Sequence, residues 1–293
     1  MPPKGSERVH VYTRIRPSSE REARGGTSAM AVGQSAISLI QPDVRATSRE
    51  FDFDGVYPPD ADQSRVYDDV GAPILDAVLQ GYNGTVLAYG QTGTGKTHTL
   101  LNVGDSRSDA GLVPRLVAAL FVHIKNDVRH VHSVKASFAQ IYNEQIDDLL
   151  TPKNNNLRVK PCGKTHEVDG LTYTECKSAS ELLGLFDAGR RALVYAETKM
   201  NKHSSRSHAV LQLNVSRRER CLDGASGHTR SRMATLHTGK LTIVDLAGSE
   251  RVKRSGADED ITGRRMKEAI NINTSLLGCA SPRLACHAPI TPS

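Results

Sequence analysis

At 293 residues the chain is long enough for one large or two ordinary domains, which excludes a miniprotein and a fibre. Hydrophobic residues at 38% and charged residues at 24% allow a sizeable core and rule out wholesale disorder. The 38 basic residues outnumber the 32 acidic ones, giving a net charge of +6 that favours an anionic partner: nucleic acid, an anionic membrane or an acidic protein surface.

Residues 9–15 are rich in β-branched side chains and run into Arg16-Pro17, where proline ends regular pairing, so a first strand is expected there. Residues 18–35 mix charge, Gly and Ser and read as a solvated loop. Residues 51–57 alternate apolar and polar before Pro58-Pro59, the pattern of a half-buried strand. Between residues 63 and 80, Val66, Val70, Ile74, Leu75, Val78 and Leu79 recur at helical spacing, with Gly81 placed as a C-cap. The apolar run at 84–90 reads as a strand covered on both faces, followed by a glycine-rich turn and a helix. A further helix is expected over 112–124, with Pro114 in its first turn.

Further on, strands are expected at 134–142, 208–215 and 240–245, and helices at 180–194 and 267–277. Strands and helices therefore interleave, which argues for an α/β domain: a central sheet with helices on both faces.

Five cysteines form no C-x-x-C pair and no His/Cys cluster at zinc spacing, and an odd count suits a reducing compartment better than a disulfide framework. The N-terminus has no apolar signal region and no run approaches the ~18 apolar residues of a span, so a cytosolic or nuclear chain without membrane insertion is expected. Aromatic residues at 4%, with no Trp, argue against base-stacking platforms and so against nucleic acid.

Residues 90–97, Gly-Gln-Thr-Gly-Thr-Gly-Lys-Thr, match G-x-x-x-x-G-K-[ST] in full between a buried strand and a helix. Glycines let successive N–H groups face an anion while the helix N-terminus adds positive potential. Triphosphate binding follows, with Lys96 reaching the β- and γ-phosphates and the Thr97 hydroxyl on Mg²⁺. Asp245 ends an apolar strand, where a carboxylate would hold that Mg²⁺ through water. The hydroxyl-rich stretch 201–208, with Arg206, and the stretch 245–250, with its glycine and carboxylate, offer two loops that would close on one phosphate.

Four motifs in this order resemble the kinesin motor domain. Arg14-Ile15-Arg16-Pro17 is similar to the family's adenine-contact motif, residues 90–97 to its phosphate loop, 201–208 to its N-x-x-S-S-R-S-H switch I and 245–250 to its D-L-A-G-S-E switch II. The resemblance covers about residues 9–278 and implies a P-loop NTPase fold with a central mixed β-sheet flanked by helices on both faces. It implies ATP held by Arg14, Arg16, Pro17, Gly90, Gln91, Thr92, Gly93, Thr94, Gly95, Lys96, Thr97 and His98. Mg²⁺ would be held by Thr97, Ser205 and, through water, Asp245.

By the same resemblance Gly248 senses the γ-phosphate, Arg206 and Glu250 form a closing salt bridge, and Ser204 with Glu250 positions and deprotonates the attacking water. Lys253, Arg254, Arg264, Arg265 and Lys267 are implied contacts to tubulin, placing the chain on microtubules in the cytoplasm as an ATP hydrolase. Thr274 and Leu193 depart from the family's usual lysine and arginine near those positions.

After Gly278 the resemblance stops, and the family's last strand and helices are not recognisable. Residues 279–293, with three prolines, read as an unstructured tail. The expectation is a partial motor domain over 1–278, impaired for motility. A non-motile, microtubule-associated fragment without productive turnover and an unrelated P-loop switch are the alternatives. No sustained heptad pattern is present, so a monomer is the default.

Overall fold

A computed structural model of the chain describes residues 8–23, 30–39, 49–102, 109–163, 165–199, 206–220 and 236–249. In chain order the elements are β1 (Tyr12–Arg14), α1 (Glu20–Ala23), β2 (Met30–Val32), β3 (Ala36–Leu39), β4 (Arg49–Asp52), β5 (Gly55–Tyr57), α2 (Gln63–Val66), α3 (Ala72–Leu79) and β6 (Gly84–Ala88). There follow α4 (Lys96–Leu101), α5 (Leu112–Asn126), β7 (His130–Tyr142), β8 (Gln145–Asp148), β9 (Arg158–Cys162), β10 (Thr165–Asp169), β11 (Thr174–Glu175), α6 (Ala179–Lys199), β12 (His208–Glu219) and β13 (Leu236–Asp245). Among these, no helix is long and apolar enough to cross a membrane.

The central sheet is mixed. Its strands run in the order β11-β7-β12-β13-β6, with β8 pairing the end of β7, and only β13 and β6 are parallel. Alternate residues along the strands, Val134, Ala136 and Phe138 on β7, Leu211, Leu213 and Val215 on β12, Leu241 and Ile243 on β13, turn into one apolar cluster. Leu75 and Val78 of α3, Leu100 of α4, Leu116, Val117 and Leu120 of α5, and Leu182 and Phe186 of α6 fill it from the helical side. Phe186 stacks on Phe138 with ring centroids 5.5 Å apart. The helix expected at 267–277 lies outside the described residues, as does the tail from 279.

Four expectations are revised. The first strand forms only over Tyr12–Arg14, parallel to β5. The stretch 18–35 contains α1 and β2: Ser19 and Glu22 form a capping box in which the Ser19 N–H donates to the Glu22 carboxylate (2.8 Å), and β2 pairs with β3. Residues 51–57 split into β4 and β5, because the Asp54 carboxylate accepts the Val11 N–H (2.7 Å) and turns the chain from one pairing to another. The helix over 63–80 runs through a π turn at Tyr67–Gly71, where Pro73 has no N–H to offer the Asp69 carbonyl.

α3 lies close on the sheet. A Cβ added at Gly239 of β13 would stand 2.1 Å from the Val78 carbonyl oxygen, so only glycine lets the helix end approach. Gly239→Ala is expected to destabilise the fold by about 3 kcal/mol, read as a lowered urea midpoint, because backbone must move. An unchanged midpoint would show that helix and strand are not held this tightly.

Candidate functional site

β6 delivers the glycine loop, and β13 delivers Asp245 beside it, with Asp245 opposite Ala88 in the parallel register. Gly93 and Gly95 have φ of 81° and 95°, the left-handed region that glycine adopts without strain, and a Cβ at either would meet nothing within 4 Å. The loop therefore presents backbone to open space. Lys96 opens α4, and its ammonium donates to the carbonyls of Gly90 (2.9 Å) and Gln91 (3.1 Å), so the charge sits inside the loop that a phosphate would fill. The Thr94 hydroxyl also donates to the Gln91 carbonyl, at 2.8 Å.

The Thr97 hydroxyl donates to Asp245 Oδ2 at 2.5 Å. Asp245 Oδ1 is buried and has no hydrogen-bond partner among the described residues. Burial pushes the Asp245 carboxyl above the usual aspartate range, and the Thr97 bond and the Lys96 charge oppose that shift. A hydroxyl and an unsatisfied buried carboxylate oxygen beside a lysine suit a hydrated divalent cation next to phosphate, so the residues present fit Mg²⁺.

After β13 the chain is tied to both neighbouring motifs. The Leu246 N–H donates to the Ala88 carbonyl (3.3 Å) and the Ser249 N–H to the Gly90 carbonyl (3.2 Å). The Ala247 N–H donates to Nδ1 of His208 (3.0 Å), so that nitrogen must be unprotonated. Gly248 is buried between these ties. One carbonyl, that of Gly90, thus receives both the Lys96 ammonium and the Ser249 amide.

His208 is buried, and burial lowers its pKa. The stability its neutral form contributes is present above the unfolded histidine value of about 6.5 and is lost as pH falls through the lowered folded value. His208→Ala is expected to lower stability by roughly 1–3 kcal/mol in thermal unfolding, and His208→Asn, whose Oδ1 can accept the same N–H, to restore part of it. Equal losses in the two variants would remove the Ala247 bond as the cause.

Arg14, the residue matched to adenine contact, spends its guanidinium inside the protein: it donates to Gln63 Oε1 (2.7 Å), Thr99 Oγ1 (3.1 Å) and the Ala61 carbonyl (3.1 Å). Burial lowers its pKa. Gln63, itself buried, donates to the His98 carbonyl at 2.9 Å. Arg14 and Gln63 therefore brace α4 from behind, a role for Gln63 that sequence reading missed. Arg16 pairs with Glu22 (2.5 Å), and Pro17 and His98 are exposed.

The structure brings together Gly90, Gln91, Thr92, Gly93, Thr94, Gly95, Lys96, Thr97, Asp245 and Gly248, with Arg206 half-buried just before β12. Ser204, Ser205, Glu250, Lys253, Arg254, Arg264, Arg265 and Lys267 lie outside the described residues.

The model of the kinesin motor domain matches residues 14–280. Kinesin-like protein KIN-UA of Arabidopsis thaliana is 35% identical over 92% of the chain, and kinesin heavy chain of Caenorhabditis elegans is 37% identical over 92%. The matches cover 30% and 31% of those proteins, so the chain spans less than a third of either. The solved structure of a fast kinesin, described for its ATPase mechanism and interactions with microtubules, superposes with a TM-score of 0.79 at 32% identity, covering 92% of this chain and 73% of the other. Fold, loop geometry and sequence agree: the chain belongs to the kinesin motor domain family.

Proposed function

We propose that the chain binds Mg²⁺·ATP at residues 90–97, hydrolyses it and couples the phosphate state to binding of tubulin. The observation that carries this reading is the double use of the Gly90 carbonyl, which receives Lys96 from the phosphate loop and Ser249 from the segment after Asp245. When Lys96 turns from the Gly90 and Gln91 carbonyls to the β- and γ-phosphates, the Ser249 amide loses a competitor at that carbonyl. The segment 245–250 is thereby sensitive to what fills the loop.

Arg14, Arg16, Pro17 and His98 border the nucleotide base, and Thr97, Ser205 and Asp245, the last through water, hold the cation. Mg²⁺ supplies charge neutralisation on the β- and γ-oxygens. Gly248 reports the γ-phosphate through its backbone, and Arg206 pairs with Glu250 to close the site. Ser204 orients the attacking water; its oxygen bonds the γ-phosphorus as the bond to the β–γ bridging oxygen breaks, and its proton passes to Glu250. Positioning and electrostatics dominate such a transfer.

Lys253, Arg254, Arg264, Arg265 and Lys267, in the segment following Gly248, suit the acidic surface of tubulin. Residues 1–278 form the motor unit in this reading and 279–293 stand outside it. Co-sedimentation with microtubules is expected to give affinities differing about tenfold or more between a non-hydrolysable ATP analogue and ADP. Equal affinity in the two states would contradict the coupling.

A further inference from the structure

At the other end of the sheet, α5 passes into β7 through a corner that the nucleotide site does not use. Asp127 follows the last residue of α5, and its N–H donates to the His123 carbonyl (3.0 Å). Its carboxylate receives Nδ1 of His130 at 2.9 Å and Nε2 of His132 at 2.8 Å, both on Oδ2. His130 and His132 are two apart on β7, so they project on one face, the face that packs under α5. His123, near the end of α5, meets His132 edge-on with ring centroids 6.1 Å apart.

We propose that Asp127, His130 and His132 form a site for a divalent transition cation that takes imidazole nitrogen, of the zinc class. One ligand atom from each of the three lies within 4.8 Å of the others. A cation with bonds of about 2.0–2.1 Å to N and O spaces neighbouring ligands about 2.9 Å apart at right angles and about 3.3 Å apart in a tetrahedron. The nitrogen-to-oxygen separations of 2.8 and 2.9 Å already match the first spacing and need to open by about half an ångström for the second.

The His132 side chain is 2% exposed, so its Nε2 meets Asp127 in a place largely shielded from water. The corner is pinned before any cation arrives: the Arg129 N–H donates to Asp127 Oδ1 (3.2 Å), and the Arg220 N–H and guanidinium donate to the carbonyls of Arg129 (2.9 Å) and His130 (3.2 Å).

His130, 23% exposed, and Asp127, 15% exposed, give access from solvent. On binding, the protons on the facing nitrogens move to the outer ring nitrogens or leave to solvent. The cation would then tie the end of α5 to the start of β7. Register separates the corner from the phosphate loop: His130 lies opposite Glu219, whereas Gln140 lies opposite Ala209 and, through it, Asp245. Ten rows at about 3.3 Å put the two sites roughly 30 Å apart.

The test is competition between the whole chain and a chromophoric chelator for Zn²⁺, in excess Mg²⁺ so that oxygen sites are filled. Wild type is expected to hold one equivalent about a hundredfold more tightly than the double variant His130→Ala/His132→Ala, and Lys96→Ala to bind Zn²⁺ as wild type does. Cu²⁺ bound to wild type is expected to show hyperfine coupling to at least two imidazole nitrogens, reduced in the single variant His130→Ala, whose partly exposed side chain can be lost without disturbing the core. Equal Zn²⁺ affinity in wild type and the double variant would overturn the proposal. So would a Cu²⁺ spectrum that His130→Ala leaves unchanged.

Discussion

Replacing Lys96 with alanine is expected to weaken ATP binding by a factor of about 10² to 10⁴ while leaving the fold intact. Two charge-assisted bonds to phosphate at roughly 1.5–3 kcal/mol each sum to about 3–6 kcal/mol, and each 1.4 kcal/mol or so is tenfold. Without phosphate, the ammonium donates to the Gly90 and Gln91 carbonyls of an exposed loop. Water replaces it there at little cost. Titration with a fluorescent ATP analogue and a thermal melt of the same preparation separate the two effects. Unchanged affinity would remove the loop as the nucleotide site.

Asp245→Asn is expected to cut turnover by on the order of 10²-fold or more, and to leave the nucleotide-free protein as stable as wild type or more so. The asparagine Oδ1 can still accept the Thr97 hydroxyl, but the charge that holds the cation is gone. The stability sign follows from burial. Because the folded-state pKa of Asp245 is raised, its ionisation works against the fold, and that penalty grows as pH rises from the unfolded value near 3.8 through the raised folded one. The variant's advantage in thermal midpoint should therefore widen as pH climbs above about 4. Wild-type turnover, or a clear loss of stability at neutral pH, would contradict the role given to this carboxylate.

The parts of this molecule legible in the sequence are those where one local pattern dictates the outcome. Residues 90–97 need glycine, lysine and threonine at fixed offsets, so the string itself names the site. β12 and β13 alternate because one sheet face is buried, and each forms where the pattern places it; β6 also forms in place, but with Thr85 and Leu87 exposed it is covered on one face and not, as its apolar run suggests, on both. What stayed hidden depends on partners far along the chain. Arg14 meets Gln63 and Thr99 across 49 and 85 residues, and no local pattern predicts that brace. The Ala247 bond to His208 crosses 39 residues in the same way.

Other misses had a local signal that was outweighed. Ser19-x-x-Glu22 is a capping box inside a stretch whose Gly and Ser content suggests only a loop. β9 is exposed along its whole length and β11 has two residues, so neither carries a burial pattern to read. The spacing Asp127-x-x-His130-x-His132 is visible in the string, but it matches no Cys/His zinc pattern. Only the turn from α5 into β7 brings the three side chains to one point.

The central claim is that a phosphate site built on Lys96 is coupled to tubulin, and phosphate release by residues 1–293 with Mg²⁺·ATP, with and without microtubules and beside Lys96→Ala, tests it most directly. The account predicts release that microtubules accelerate and that the variant abolishes. Soluble, folded, ATP-binding protein whose phosphate release is indifferent to microtubules would contradict it, and would mark the chain as a nucleotide-binding, non-motile fragment.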